Sequence, residues 1–328
     1  ATSWRISSDI RPRWSSIKAI ISKNMYLSAF AGGGHYNDMD MLEVGRGLKS
    51  CEEEVHVGMW CMMSSPMLIG CDLNTLKPMS LALLKNKELL AINQDPLGLQ
   101  AYVALRQGKG YVMVKDLQQM HGTTRAVALY NPSDSAISFS VPLKELELAG
   151  KAKIWDVIRH EKVKIEKDLI VAEIPAHGIK VMGVEAKNRL EATRYEAEWA
   201  YLSAYDDLDK RKKPVKFEPI EGASGGICVV NVGGEEESYA AWNNVWSNEG
   251  GNYHLKVRYV DEPRLKMMLD VNGQPCGSIF TGTQKVDDKK DVFKEATFEV
   301  KLQKGYNTVK IHSPLTLLPT LDCFYLEK

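Results

Sequence analysis

The chain has 328 residues, of which 44% are hydrophobic, enough for two or three packed domains. Its 42 basic residues balance 42 acidic ones, a net charge of zero that argues against nucleic acid or an anionic membrane surface as the main partner. No apolar run approaches the ~20 residues needed to span a bilayer. Six cysteines (Cys51, Cys61, Cys71, Cys228, Cys276 and Cys323) are scattered without a C-x-x-C pair, which argues against zinc or thioredoxin-like chemistry and for free buried thiols.

In chain order, the first stretch is Trp4-Arg5-Ile6-Ser7-Ser8-Asp9-Ile10, an aromatic strand end carrying charges. Trp14, Ile17, Ile20 and Ile21 predict a helix over 11–24, with Asn24 as its stop. Tyr26 to Phe30 reads as a short strand running into the Gly32-Gly33-Gly34 bend and the acidic segment His35-Tyr36-Asn37-Asp38-Met39-Asp40-Met41. Ser50 with Glu53 three residues on predicts a capping box for a helix whose apolar stripe is Val55, Met59, Met62 and Met63. These methionines, with Met67, read as core. Pro66 to Gly70 reads as a compact buried strand with Asp72 at its exit. Helical patterns follow at 81–84 and 88–91, closed by Asn93-Gln94-Asp95-Pro96. Strands alternating with helices imply a parallel sheet with helical crossovers. Residues 1–97 are too few for a full eightfold barrel, which takes about 250 residues, so they read as the C-terminal part of one.

From residue 98 the period becomes that of strands. Tyr111 to Val114, Ala126 to Leu129, Ile137 to Phe139, Lys153 to Trp155 and Ile179 to Met182 are short strands, with turns at Gly108-Lys109-Gly110 and Asn131-Pro132-Ser133-Asp134. This predicts an antiparallel sandwich over 98–186, ending near Val184. Glu185 to Arg194 reads as a polar linker. A second sandwich over 187–328 shows strict alternation at Tyr253, Leu255, Val257 and Tyr259, at Leu265, Met267, Leu269 and Val271, and at Phe298, Val300 and Leu302. Asp287 to Lys290 reads as a charged loop and Gly305-Tyr306-Asn307 as a turn. The expected fold class is α/β plus all-β: part of a (β/α)8 barrel, then two antiparallel β-sandwiches.

Carboxylates at two strand ends suggest acid/base chemistry on a neutral substrate, and sugar hydrolysis is the commonest reaction run by paired carboxylates. Asp9 either caps the following helix or takes part in that chemistry. Arg5 either clamps sugar hydroxyls and carboxylates or makes a surface ion pair. Asp38 and Asp40, two apart, share one face of an extended segment, as a loop support or as a substrate-binding pair. With His35 they make only a weak metal constellation. In the last domain Trp242, Trp246 and Tyr239 either pack in the core or stack on a sugar ring.

Four motifs stand in order: Trp4-Arg5-x-x-x-Asp9-Ile10, Gly34-His35-Tyr36-Asn37-Asp38-Met39-Asp40-Met41-Leu42, Pro66-Met67-Leu68-Ile69-Gly70-Cys71-Asp72-Leu73 and Asn93-Gln94-Asp95-Pro96-Leu97-Gly98. In these the chain resembles glycoside hydrolase family 27, the α-galactosidases or melibiases, over residues 1 to about 100. The following sandwich resembles that family's C-terminal β domain. Tyr36 stands where the family often has Trp, and Met39 where it often has Pro. The resemblance implies a retaining mechanism on a (β/α)8 barrel with Asp9 as general acid/base, Arg5, Asp40 and Met41 binding substrate, and no cofactor for catalysis. It implies galactose-containing oligo- or polysaccharide as substrate and a secreted or periplasmic enzyme. The family's nucleophile lies in a Lys-x-Asp motif of an earlier strand. Here only Lys285-Val286-Asp287 fits, in a β domain, so the nucleophile is expected in a missing N-terminal barrel half and the chain alone is expected to be inactive. α-N-Acetylgalactosaminide or β-L-arabinopyranoside hydrolysis is the alternative within the family, and a non-catalytic carbohydrate-binding fragment the alternative outside it.

Tyr195-Glu196-Ala197-Glu198, Gly222-Ala223-Ser224-Gly225-Gly226 and Leu321-Asp322-Cys323-Phe324-Tyr325-Leu326 resemble carbohydrate-binding modules of families 6 and 35. That resemblance implies a structural calcium held by Glu196, Glu198 and Asp322. The alternative for the glutamates is a solvent-facing pair on an edge strand.

Overall fold

The computed structural model describes residues 1–118, 123–205, 214–282 and 293–328. Lys285-Val286-Asp287 and the charged stretch to Lys290 lie outside the described residues. The chain divides into two compact units, Ala1–Leu190 and Glu191–Lys328.

The first unit opens with a parallel pair of short strands, β1 (Ser3–Arg5) and β2 (Tyr36–Asp38), with Trp4 opposite Asn37 and Arg5 opposite Asp38. A further parallel bridge joins Leu42 to Ile69. Helices α1 (Trp14–Asn24), α2 (Ser50–Met62), α3 (Pro78–Leu84) and α4 (Lys87–Asn93) complete a partial (β/α)8 barrel. In α1, Ile17, Ile20 and Ile21 form the buried stripe. The helix starts at Trp14 rather than Arg11 because Pro12 disfavours helical backbone at the residue before it.

Three local expectations are corrected. Tyr26 to Phe30 is not a strand: Ser28–Phe30 is a 3-10 turn, and the strand forms only after the three glycines, all at positive φ, have reversed the chain. The capping box sits one residue earlier. Lys49 caps α2 and its backbone N–H donates to Glu52 Oε2 at 3.0 Å. Glu53 is turned inward, where it accepts from Gly45 N at 2.7 Å and Ser80 Oγ at 2.6 Å. Pro66 to Gly70 is not a buried strand. Leu68 and Ile69 are 53% and 50% exposed, because among the described residues only the single bridge to Leu42 flanks them.

The rest of this unit is a sandwich. Its larger sheet runs in the order Tyr102–Gln107, Gly110–Asp116, Thr124–Asn131, Gly178–Arg189, Leu148–Asp156, Glu161–Lys162. A three-stranded sheet (Ile137–Pro142, Leu169–Ile174, Ile165–Glu166) covers one face over a core that includes Val114, Leu129, Phe139, Val141 and Ile170. Helix α2 packs on this larger sheet at Gly58, where a Cβ would sit 3.1 Å from Val181 Cγ2. The expected linker from Glu185 is strand as far as Arg189. It is held there by a buried charge cluster in which Arg125 and Arg189 each pair with Asp116 and Glu147 at 3.0–3.2 Å.

The second unit has two sheets. One contains Lys216–Pro219, Ile227–Val230, Leu321–Glu327, Gly251–Val260 and Phe293–Leu302, with Arg194–Glu196 alongside Leu321–Glu327. The other runs Tyr201–Leu202, Tyr239–Ser247, Gly305–His312, Lys266–Val271, Gln274–Phe280. Tyr253, Leu255, Val257 and Tyr259 all point into the core, as their alternation predicts. Gly305 to Asn307 is the start of a strand rather than a turn, and Asn307 Oδ1 accepts Gln303 N at 2.8 Å to close the loop before it. All six cysteines are free thiols. Among the described residues no helix is long and apolar enough to cross a membrane.

Candidate functional site

Parallel pairing places Arg5 and Asp38 side by side at the ends of β1 and β2. Beyond Asp38 the chain does not stay extended. Asp40 has φ 78, and its N–H donates to Asp38 Oδ1 at 2.8 Å. The expected common face of Asp38 and Asp40 is therefore replaced by a turn in which Asp38 is the support. That turn buries the Asp40 carboxylate. Its Oδ2 lies 2.5 Å from Arg5 Nη2 and accepts Ile10 N at 2.8 Å, while Oδ1 accepts Met41 N at 2.8 Å.

Asp9 approaches the same Arg5 nitrogen at 3.4 Å, with its side chain 96% exposed. It stands five residues before Trp14 and does not cap α1, whose cap is Arg13. Met41 is exposed beside this pair, and Gly70 packs so closely on it that a Cβ there would sit 3.2 Å from Met41 Cβ. His35 instead bonds Ala1 O through Nδ1 at 2.8 Å, and no metal-binding group among the described residues includes it. The chemistry this permits is specific. The lone pairs of Asp40 are committed to three donors, whereas the Asp9 carboxylate faces solvent with only the longer contact to Arg5.

Sequence reasoning missed the layer beneath. Trp60 and His56, one turn apart on α2, both face the Asp40 segment. Trp60 Nε1 donates to Asp40 O at 2.8 Å, and His56 Nε2 accepts Glu43 N at 2.9 Å. Their rings meet edge to face at 4.1 Å. Burial lowers the His56 imidazole to about 3, so it stays neutral and can serve as an acceptor. Two aromatic side chains with hydrogen-bonding nitrogens at i and i+4 beside a methionine stripe were the available signal.

In the second unit, the three residues expected to hold calcium are all buried. They are therefore not a solvent-facing pair with a distant partner. Asp322 Oδ1 accepts Ser224 N at 2.8 Å, and its Oδ2 pairs with Arg258 Nη1. Glu196 Oε1 accepts Ser224 Oγ at 2.9 Å and lies 2.7 Å from Arg194 Nε. Its Oε2 is buried with no hydrogen-bond partner among the described residues. Glu198 Oε1 lies so close to Gly225 that a Cβ there would overlap it.

Burial, reinforced by Asp322 and opposed by Arg194 and Ser224, raises the Glu196 carboxyl to about 6. Among the described residues, Glu196 and Asp322 each bring a ligand atom within 4.8 Å of the other and of Cys323, whereas Glu198 is not part of that group; the two carboxylates are the donor type a hard cation takes. Trp242, by contrast, is core. It is buried edge-on to Phe324 and donates Nε1 to Glu196 O at 2.8 Å. Trp246 and Tyr239 stay half-buried on the outer side of the sheet.

Residues 1–95 match the family model described as alpha galactosidase A, and residues 107–184 match the alpha galactosidase C-terminal beta sandwich domain. Among curated relatives, alpha-galactosidase A of Cellvibrio japonicus is 32% identical over 202 residues, covering 55% of this chain and 49% of that protein. A crystal structure of a putative alpha-galactosidase/melibiase from Bacteroides fragilis is 32% identical with a TM-score of 0.52, covering 56% of this chain and 42% of that one. An isomalto-dextranase from Arthrobacter globiformis complexed with panose matches 99% of this chain and 56% of its own at a TM-score of 0.56. At 17% identity that likeness is one of fold only. The chain spans about half the length of the curated relatives it matches.

Proposed function

Residues 1–184 of this chain belong to the α-galactosidase family, glycoside hydrolase family 27, and from that premise we propose that they are part of a retaining α-galactosidase acting on terminal α-galactosyl groups of oligo- or polysaccharides. The observation that carries the reading is the solvent-facing Asp9 carboxylate beside an Arg5 locked onto buried Asp40. Asp9 protonates the departing glycosidic oxygen and then takes a proton from the incoming water. Arg5 and the Asp40–Met41 turn hold the sugar. Asp40 is not the nucleophile, because Arg5 and two backbone N–H groups already occupy its oxygens. The reading therefore needs a second carboxylate about 5 Å from Asp9, supplied by another strand end of a completed barrel. The test is Asp9→Asn in a polypeptide carrying these residues with a complete barrel. Hydrolysis of galactosides with poor leaving groups should collapse while the fold is kept.

The second unit we read as a carbohydrate-binding module that holds a structural calcium through Glu196, Glu198 and Asp322. The orphaned Glu196 oxygen and the cradle at Gly225 support the ion. Calcium titration of thermal unfolding, in the presence and absence of chelator, tests it.

A further inference from the structure

The outer face of the five-stranded sheet in the second unit carries an unusual set of side chains. Strand alternation turns Val245, Asn307, Val309 and Ile311 inward and leaves Trp246, Tyr306, Thr308, Lys310 and His312 outward. Register places Trp246 directly opposite Tyr306, and Tyr239 opposite His312. The first pair makes a corner: its rings lie 4.9 Å apart at 71°, and Tyr306 is 42% exposed. The second end carries Tyr239 with the Lys310 ammonium 4.3 Å above its ring. Between them the strand has a register irregularity from Trp242 to Val245, which leaves the amides of Asn243 and Asn244 both exposed. Seven residues separate the two aromatic ends, roughly 20 Å along the strand.

We propose that this outer sheet face, anchored at the Trp246–Tyr306 corner, binds a neutral saccharide chain. The inference rests on reading the second unit as carbohydrate-binding, and it gives that reading a place. Three features select the occupant. Flat aromatic faces suit the apolar C–H faces of a sugar ring, and the adjoining amides suit its hydroxyls. Charge on the face is compensated locally. His312 Nε2 lies 3.2 Å from Asp270 Oδ2, and Lys310 is seated on the Tyr239 ring, so there is no field of one sign to recruit a charged partner. A second copy of the chain would want a continuous apolar surface, and this one is broken by Asn243, Asn244, Lys310 and Asp270.

The test uses the whole chain with galactomannan as the probe, by affinity electrophoresis and calorimetry. Wild type should bind, Tyr306→Ala and Trp246→Ala should each weaken binding at least tenfold, and both should keep the wild-type Tm. Tyr306→Ala guards against misfolding at Trp246, whose backbone N–H donates to the Tyr195 hydroxyl oxygen at 3.1 Å. Binding unchanged in both variants overturns the location while leaving carbohydrate binding intact. No binding by the wild type overturns the proposal together with the reading of the second unit. Self-association of the wild type that Tyr306→Ala abolishes also overturns it, in favour of a contact between copies. Glycoside hydrolysis is read separately on Asp9, so neither result decides the other.

Discussion

Arg5 and Asp40 form an ion pair of 2.5 Å that joins the end of one parallel strand to the turn after the next, and the two partners differ sharply in burial. The Asp40 carboxylate is buried, while the Arg5 side chain is 37% exposed. That asymmetry predicts different costs. Asp40→Ala leaves the buried Ile10 N–H without its acceptor and should destabilise the chain by about 1–3 kcal/mol. Arg5→Lys should cost less than about 1 kcal/mol, since the pair is partly solvent-screened on the arginine side. In the completed enzyme it should still raise KM markedly, because a lysine cannot reproduce the guanidinium fork. Urea denaturation and steady-state kinetics separate the two effects.

The neutral histidine beneath the site gives a pH dependence. His56 is lowered from 6.5 to about 3, so in the folded chain it stays unprotonated while the unfolded chain takes up a proton below 6.5. Its contribution is fully present above pH 6.5 and is lost as pH falls towards 3. Between pH 6.5 and 5 the loss should be about 1.5 kcal/mol. His56→Gln, which keeps an acceptor for Glu43 N, should be less stable at pH 7 but show a shallower acid limb. An unchanged limb would remove His56 from the account.

Glu196 runs the other way. Its carboxyl is raised from 4.5 to about 6, so the folded metal-free chain holds the proton more tightly than the unfolded one. Metal-free stability should therefore fall by about 2 kcal/mol as pH rises from 4.5 through 6. Calcium should restore it above pH 6, and calcium affinity should drop about tenfold per unit below that. Glu196→Gln should abolish both the pH dependence and the calcium shift of Tm. Gly225→Ala, which intrudes on Glu198, should abolish the calcium shift.

Lys115 should be a stability residue with no part in catalysis. Its buried ammonium donates to Ser64 Oγ at 2.6 Å and to the carbonyls of Ile92 and Cys61, at the C-terminal ends of α4 and α2. Burial lowers it to about 8, with Asp95 opposing. Lys115→Met removes the only cation serving these acceptors among the described contacts and should cost about 2–4 kcal/mol.

The order of elements was legible because it rests on hydrophobic period, which survives in a single sequence. The strands around Leu255 and Val300 and the helices around Ile17 and Met59 follow from alternation and helical spacing alone. The misplacements fell where local geometry outvoted composition. Three glycines moved a strand from Tyr26 to Tyr36, and a left-handed Asp40 turned a supposed carboxylate pair into a support and a buried anchor. Arg189 and Asp116, far apart in sequence, pulled a polar linker into the sheet. Asp9 and Arg5 were visible as motif residues. The Trp60 and His56 layer was not, because an apolar helix face does not announce which of its members donate a hydrogen bond.

The central claim is that Asp9 is the proton donor and acceptor, and leaving-group dependence tests it most directly. In a polypeptide with the completed barrel, kcat/KM would be measured for wild type and Asp9→Asn on methyl α-galactoside and on p-nitrophenyl α-galactoside. A poor alkoxide leaving group needs the proton and p-nitrophenolate barely does. The account predicts a loss of at least about 100-fold on the methyl glycoside and a much smaller loss on the nitrophenyl glycoside. Equal losses on both, or full activity of Asp9→Asn on the methyl glycoside, would contradict it.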